Sequence, residues 1–267
     1  MDLSPAQIQQ AAAVLAEARR TRTPLERLPG SLTPLSRGEG HAIAARVATL
    51  AGSPVHGWKI AATSAAGQAH LDVDAPIAGR MLADGIIPDG GTLQSGPRVM
   101  SLAEVECAFT LARDLVPRDD PYSQSEVRAA LASVHPAIEL PDTRLSRFTD
   151  VGIAELTADS ACAAEFVLGP AAPPARLDDD PTELEVTITV TLADGTSAHS
   201  TGRGGNVLDG PLGSLTWLVG ELSTHGITLH AGQVVTTGVL SAPIPLVPGT
   251  RVHADFGSLG TVSVQAA

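Results

Sequence analysis

The chain is 267 residues long with a formal charge of −12, enough length to bury a sizeable core and the wrong sign for a nucleic acid or an anionic membrane, whose phosphates call for clustered Lys and Arg. Its 2 cysteines, without Cys-x-x-Cys spacing, exclude a disulfide framework and a thiolate zinc site. With no basic leader ahead of an apolar stretch and no run of about 18 apolar residues, a cytoplasmic protein is expected.

Pro5 to Arg20 is expected as an amphipathic helix with Ile8, Ala12, Leu15 and Ala16 on one stripe and Ser4 as its cap. A second helix is expected from Ser36 to about Leu50, and Pro24, Pro29 and Pro34 mark the intervening loop. Val55 to Ala61 reads as a strand with His56, Trp58 and Ile60 on one face and Gly57 and Lys59 on the other. Among 17 basic residues Lys59 is the only lysine. Arginine keeps its proton near neutral pH whereas a desolvated lysine can release it, which makes Lys59 a candidate for proton transfer. A short helical or loop segment, Thr63 to His70, leads to Asp72-Val73-Asp74-Ala75-Pro76, and Gly79 to Pro88 is expected as strand and turn.

The stretch Leu102 to Arg113 alternates. Val105, Cys107, Phe109 and Leu111 form an apolar face, and Glu104 and Glu106 stand together on the other. Side chains on one face of a strand lie roughly 6 to 7 Å apart, a spacing that suits two oxygen ligands of one hard cation. An isolated Glu-x-Glu is equally a wet strand face, but a third acid, Glu139, sits in a short apolar run between Pro136 and Pro141, where an unpaired carboxylate is costly. A helix is expected from Ser123 to Ser133, with Ser123 and Glu126 in capping-box spacing. Strands are expected at Glu165 to Leu168, Glu183 to Leu192, Ser197 to Thr201, Gln233 to Gly238, Arg251 to Phe256 and Thr261 to Gln265, with Asp194-Gly195 as a hairpin turn. Gly202, Gly204 and Gly205 precede a helix from about Pro211 to His225, without the spacing of a nucleotide-binding loop.

Gly57-Trp58-Lys59-Ile60-Ala61-Ala62-Thr63-Ser64, the Glu104/Glu106 strand, Pro136-Ala137-Ile138-Glu139 ending in Asp142-Thr143-Arg144, Ala158-Asp159-Ser160, Gly205-Asn206 and Ala231-Gly232-Gln233-Val234-Val235-Thr236-Thr237-Gly238 resemble, in order and spacing, the 2-keto-4-pentenoate hydratase and 4-oxalocrotonate decarboxylase group of the fumarylacetoacetate hydrolase superfamily. The resemblance runs from the first helix to Ala254-Asp255-Phe256-Gly257. It implies an α+β fold, a fumarylacetoacetate-hydrolase-like mixed β-sandwich roll (residues 53–267) behind a small helical N-terminal subdomain (residues 1–52). It also implies a Mg²⁺ or Mn²⁺ ion held by Glu104, Glu106 and Glu139, with Lys59 and Asp74 beside the substrate, and a homo-oligomer that in some relatives pairs a hydratase with a decarboxylase.

Departures from the family pattern at Ala61-Ala62, Ser160 and Ser241 fall in segments expected to line the far end of the substrate, with Ser160, Leu240 and Ser241 as binding candidates. The activity so implied is hydration of a 2-hydroxy-2,4-dienoate in the catabolism of aromatic compounds. The alternatives are a 4-oxalocrotonate-type decarboxylase, another 2-oxo acid lyase or tautomerase, and a C–C hydrolase, whose Glu-His lid pair has no counterpart here. A silent binding subunit is the reading of a different class, and it would have lost a carboxylate or the lysine. His135 is expected as a packed residue rather than a ligand, and His70 as a helix-end residue. The uncharged far-end candidates point to a monocarboxylic substrate unless Arg80 or Arg144 reaches in.

Overall fold

The computed structural model describes residues 2–267. In chain order it contains α1 (Pro5–Thr21), α2 (Arg37–Ala51), β1 (Val55–Ala61), α3 (Ala65–Leu71), β2 (Ile77–Leu82), β3 (Ile86–Ile87), β4 (Thr92–Leu93), β5 (Leu102–Leu111), α4 (Gln124–Arg128), β6 (Leu131–Leu140), α5 (Ile153–Ala158), β7 (Glu165–Leu168), β8 (Glu185–Thr191), β9 (Ser197–Arg203), α6 (Gly210–Thr224), β10 (Val234–Val239), β11 (Ile244–Pro245), β12 (Arg251–Asp255) and β13 (Thr261–Ala266). Local chemistry explains the helix starts. Ser4 and Gln7 close a capping box on α1, Ser36 caps α2, and Ser123 and Glu126 close a second box on α4. No helix among the described residues is long and apolar enough to cross a membrane.

Two sheets form the α+β body. The larger runs β2-β1-β10-β5-β6-β7-β3 with β11 added to β5, and the smaller runs β4-β13-β12-β8-β9. Strand β5 is the hinge of the arrangement, antiparallel to β10 on one side and to β6 on the other. Its Val105, Cys107, Phe109 and Leu111 face the main core, which they share with Val186 and Ile188 of β8, Val252 of β12, Val262 of β13 and the apolar side of α6. The opposite face of the larger sheet is covered by a second cluster, in which α1 and α2 pack with Ile77, Leu145, Leu156, Ala161 and Cys162. The period-two reading of β1 holds. Trp58 and Ile60 join the main core, so Lys59 is turned to the other face with Glu104 and Glu106.

The helix expected from Ser123 to Ser133 ends at Arg128. The residues from Leu131 onward pair with β5, Leu131 opposite Leu111 and Ser133 opposite Thr110, so ladder hydrogen bonds and burial of Leu131 and Val134 outweigh the helix preference of the alanines. Strand β6 therefore starts before Pro136 and runs through it. The helix α5 was not read from the sequence. Its Glu155 is fully buried and accepts from the Leu28 backbone N–H at 2.6 Å and from Arg27 at 3.2 Å, tying the loop between α1 and α2 to the sheet.

Gly79 of β2 marks a close backbone approach on the covered face. A Cβ there would lie 1.9 Å from the Ser160 carbonyl oxygen, which only glycine permits. Gly79→Ala should cost about 1–3 kcal/mol by overpacking, read as a fall in the thermal midpoint; an unchanged midpoint would show that the Ser160 turn yields freely.

Candidate active site

The register of the larger sheet assembles the acids. Glu104 of β5 lies directly opposite Glu139 of β6, a separation of about 5 Å between Cβ atoms, and Glu106 follows two residues on along the same face. One carboxylate oxygen from each of the three lies within 4.8 Å of the others. Lys59, 3% exposed, places Nζ 2.9 Å from Oε2 of Glu139, itself 1% exposed. The second oxygen of Glu139, Oε1, is buried with no hydrogen-bond partner.

Glu106 is anchored from β10. Thr236 Oγ1 and the Gly238 backbone N–H, at 2.8 Å, both donate to its Oε2, leaving Oε1 for another partner. The register of β10 against β5 shifts between Thr236 and Val239, and Gly238 sits at φ +111°, where a Cβ would meet Thr63 Oγ1 at 1.9 Å. That irregularity aims the N–H at the carboxylate. The sequence marks this segment as a strand and a motif, not as a source of site residues. Its signal was the Thr-Thr-Gly run at the end of a strand.

Electrostatics follow from two buried acids and a buried base beside the half-buried Glu104. Burial and the neighbouring Glu104 push Glu106 up to about 7. Burial, reinforced by Glu104 and Glu106, raises Glu139 well above the carboxylate range despite Lys59 beside it. Burial by itself would lower Lys59, but Glu139, Glu104 and Glu106 outweigh it and raise the ammonium above its usual value, so Lys59 is protonated at neutral pH.

Lys59 and Glu104 form the charged end of a cavity of about 710 Å³. Ala61, Ala62, Thr63, His70, Asn206 and Ser241 also border it, as do Ala161 and Cys162. Of the sequence candidates, Lys59, the three glutamates and Ser241 come together here. Asp74 does not. Asp72 ends α3 in a left-handed conformation, and the chain carries Asp74 out to an exposed bend, outside the cavity lining, so the carboxylate paired with Lys59 is that of Glu139. Ser160 also misses. It sits at φ +52° on the side of Arg80, Arg144 and Asp159, and its neighbours Ala161 and Cys162 supply the cavity wall. Leu240 turns its side chain into the main core, while its carbonyl accepts from the Asn206 side chain at 2.6 Å and the Arg203 backbone at 2.9 Å.

Neither arginine reaches in. Arg144 is held by Asp159 and by the carbonyls of Asp142 and Ala163, and Arg80 lies 4.6 Å over the Trp58 ring. His135 is packed among Thr110, Ser133 and the Gly169 carbonyl, away from the acids. His70 lines the cavity with its ring edge-on to Phe148. A second convergence, His41, Glu221 and His225, has Arg37 3.3 Å from Glu221 and Arg80 3.5 Å from His41. With two guanidiniums against it, this group acts as a polar clamp between α2 and α6 rather than a cation site.

No family model matches the chain. It is 33% identical over 208 residues, 78% of this chain and 76% of the relative, to 2-keto-4-pentenoate hydratase 1 of Dechloromonas aromatica (strain RCB). With 2-keto-4-pentenoate hydratase 2 of the same strain it shares 30% identity over 257 residues, 95% of each chain. Among solved structures, a 4-oxalocrotonate decarboxylase from Pseudomonas putida G7, complexed with magnesium and adipate, has the same fold, with a TM-score of 0.86 over 99% of each chain at 23% identity.

Proposed function

This chain belongs to the 2-keto-4-pentenoate hydratase family, and from that premise we propose how its residues act as a hydro-lyase, adding water to a 2-hydroxy-2,4-dienoate to give a 4-hydroxy-2-oxo acid in the catabolism of aromatic compounds. The observation that carries the reading is the convergence of Glu104, Glu106 and Glu139 around Lys59, with Glu106, Glu139 and Lys59 buried and Glu104 half-buried. Three converging acids against one ammonium push two of their own number toward the protonated form, a charge conflict that a hard cation would relieve, and the partnerless Oε1 of Glu139 is an oxygen donor free to hold one. All-oxygen donors of this charge fit Mg²⁺ or Mn²⁺. Bound there, such an ion supplies Lewis-acid stabilisation of negative charge on the substrate's 2-oxygen.

The remaining work falls to the chain's own groups. Thr236 and Gly238 fix Glu106 so that it presents one oxygen, and Glu139 holds Lys59 Nζ at the cavity wall. We assign to Lys59 the movement of the proton that converts the dienol to the conjugated 2-oxo-3-enoate, to which water then adds with its oxygen at C4 and a proton at C3. Ser241, at the cavity margin, is available to hydrogen-bond the substrate. The same reading keeps a cytoplasmic, homo-oligomeric enzyme, consistent with two buried free thiols.

The rest of the cavity decides between hydration and decarboxylation. Lys59 is the only Lys or Arg lining it, and Arg80 and Arg144 are engaged elsewhere. A second substrate carboxylate would be left poorly paired, at a cost of several kcal/mol. A monocarboxylic dienoate should therefore be hydrated with a kcat/KM at least about 100-fold above that of its dicarboxylic analogue. Product analysis with the matched pair checks this. CO₂ release from the dicarboxylate with no hydration of the monocarboxylate would make the chain a decarboxylase.

A further inference from the structure

We infer that the dienoate this enzyme takes carries a sizeable apolar group at C5, an alkyl chain of several carbons or an aromatic ring, lodged at the end of the cavity remote from the acids. The inference rests on the hydratase reading above and adds the identity of the substrate's tail. A cavity of about 710 Å³ lies within the range that encloses drug-sized ligands, and a five-carbon acid occupies a small part of it.

What lines the remaining space is mostly apolar, with no charged group other than Lys59 and Glu104. Beyond the charged end it is bordered by Leu71, Ile77, Met100, Phe148, Leu156 and Pro243. Leu156 and Ile77 are fully buried and back the cavity from behind, so the apolar surface that a tail can cover is that of Leu71, Met100, Phe148 and Pro243, all at least partly exposed, Phe148 with its ring in edge contact with His70, the centroids 6.0 Å apart. One side is closed by the seven-residue helix α3, which has no buried residue of its own and presents Ala66, Gly67, His70 and Leu71 inward. Small residues at the inner face of α3 keep that space open. An unbranched five-carbon substrate would leave this apolar surface against water, and a tail that displaces the water gains on the usual scale for buried methylenes, about fourfold in affinity or kcat/KM for each.

The test is a series of 2-hydroxy-2,4-dienoates bearing hydrogen, methyl, propyl, pentyl or phenyl at C5, assayed with Mg²⁺ or Mn²⁺ by loss of dienol absorbance. In parallel, the affinity of unreactive saturated 2-oxo acids of matching tail length is measured by calorimetry. Both kcat/KM and affinity should rise by about fourfold per methylene over the first few carbons, with the phenyl compound accepted. In Phe148→Ala the preference for the pentyl over the unsubstituted substrate should shrink by about tenfold. Turnover of the unsubstituted dienoate with flat or falling values along the series overturns the inference and leaves the hydratase reading standing. Affinity for the 2-oxo acids that does not change with tail length overturns it independently of turnover. Failure of every dienoate to be hydrated, with affinities that still rise along the 2-oxo acids, strikes the hydratase reading while the apolar subsite stands.

Discussion

Glu106→Gln should raise the dissociation constant for Mg²⁺ or Mn²⁺ by at least about 100-fold while the protein stays folded. Loss of a partner that merely orients a metal ligand typically costs 10–100-fold in affinity, and a neutral amide in place of a carboxylate removes the ligand's charge as well as its preferred chemistry for a hard cation. The fold should survive because Thr236 and Gly238 donate to the Oε2 position, which the amide oxygen can still occupy. Calorimetric titration of metal into wild type and variant reads the effect directly, and full activity after exhaustive chelation would sink the metal reading altogether.

The same site makes a pH prediction. Glu106 protonates at about 7 in the folded protein against 4.5 as its ordinary value. The folded form thus holds more protons than the unfolded one between those values, and the stability of the metal-free protein falls as pH rises from 4.5 to 7. A bound cation offsets that loss. The upward shift of the thermal midpoint on adding Mg²⁺ should therefore grow across this window in wild type and grow less in Glu106→Gln.

Lys59→Arg should lower turnover by about 10²-fold or more, the usual scale for losing a group that transfers a proton, with a much smaller effect on metal affinity. Arginine keeps the positive charge beside Glu139, so the charge of the site is compensated as before, but a guanidinium is a far weaker acid than the protonated ammonium of Lys59 and donates its proton to the substrate far less readily. It is also larger than the space left by a side chain that is 3% exposed. Parallel assays of turnover and metal binding separate the two consequences. Near-normal turnover in this variant would confine Lys59 to electrostatic support of Glu139.

Among the sequence candidates that the structure brings together, Lys59, Glu104 and Glu106 share one property, a position determined by local periodicity. Alternation along Val55–Ala61 and Leu102–Leu111 is enough to turn Lys59, Glu104 and Glu106 away from the main core, because side chains on a strand alternate whatever the strand pairs with. The candidates that the structure leaves apart from the cluster lie in irregular backbone. Asp74 follows the left-handed Asp72, Ser160 is itself left-handed, and Leu240 comes just after the shifted register at Gly238. No period predicts where such side chains point. Likewise, the helix foreseen as far as Ser133 carried a local preference that pairing with β5 overrode.

By itself, then, the sequence determined most of the elements (but not α5 or the start of β6), the caps of α1, α2 and α4, the faces of β1 and β5, and the kind of chemistry that one lysine and three glutamates can perform. Only the tertiary structure decided that Glu139 stands directly across from Glu104, that Lys59 pairs with Glu139 and not with Asp74, and that Thr236 and Gly238 hold Glu106. It also decided that Arg80 and Arg144 are spent on Trp58 and Asp159, leaving an uncharged, apolar far end. The physical reason is that strand register and the hydrogen bonds of loops are settled between segments far apart in the chain, by which pairing buries the most apolar surface and leaves the fewest polar groups without partners.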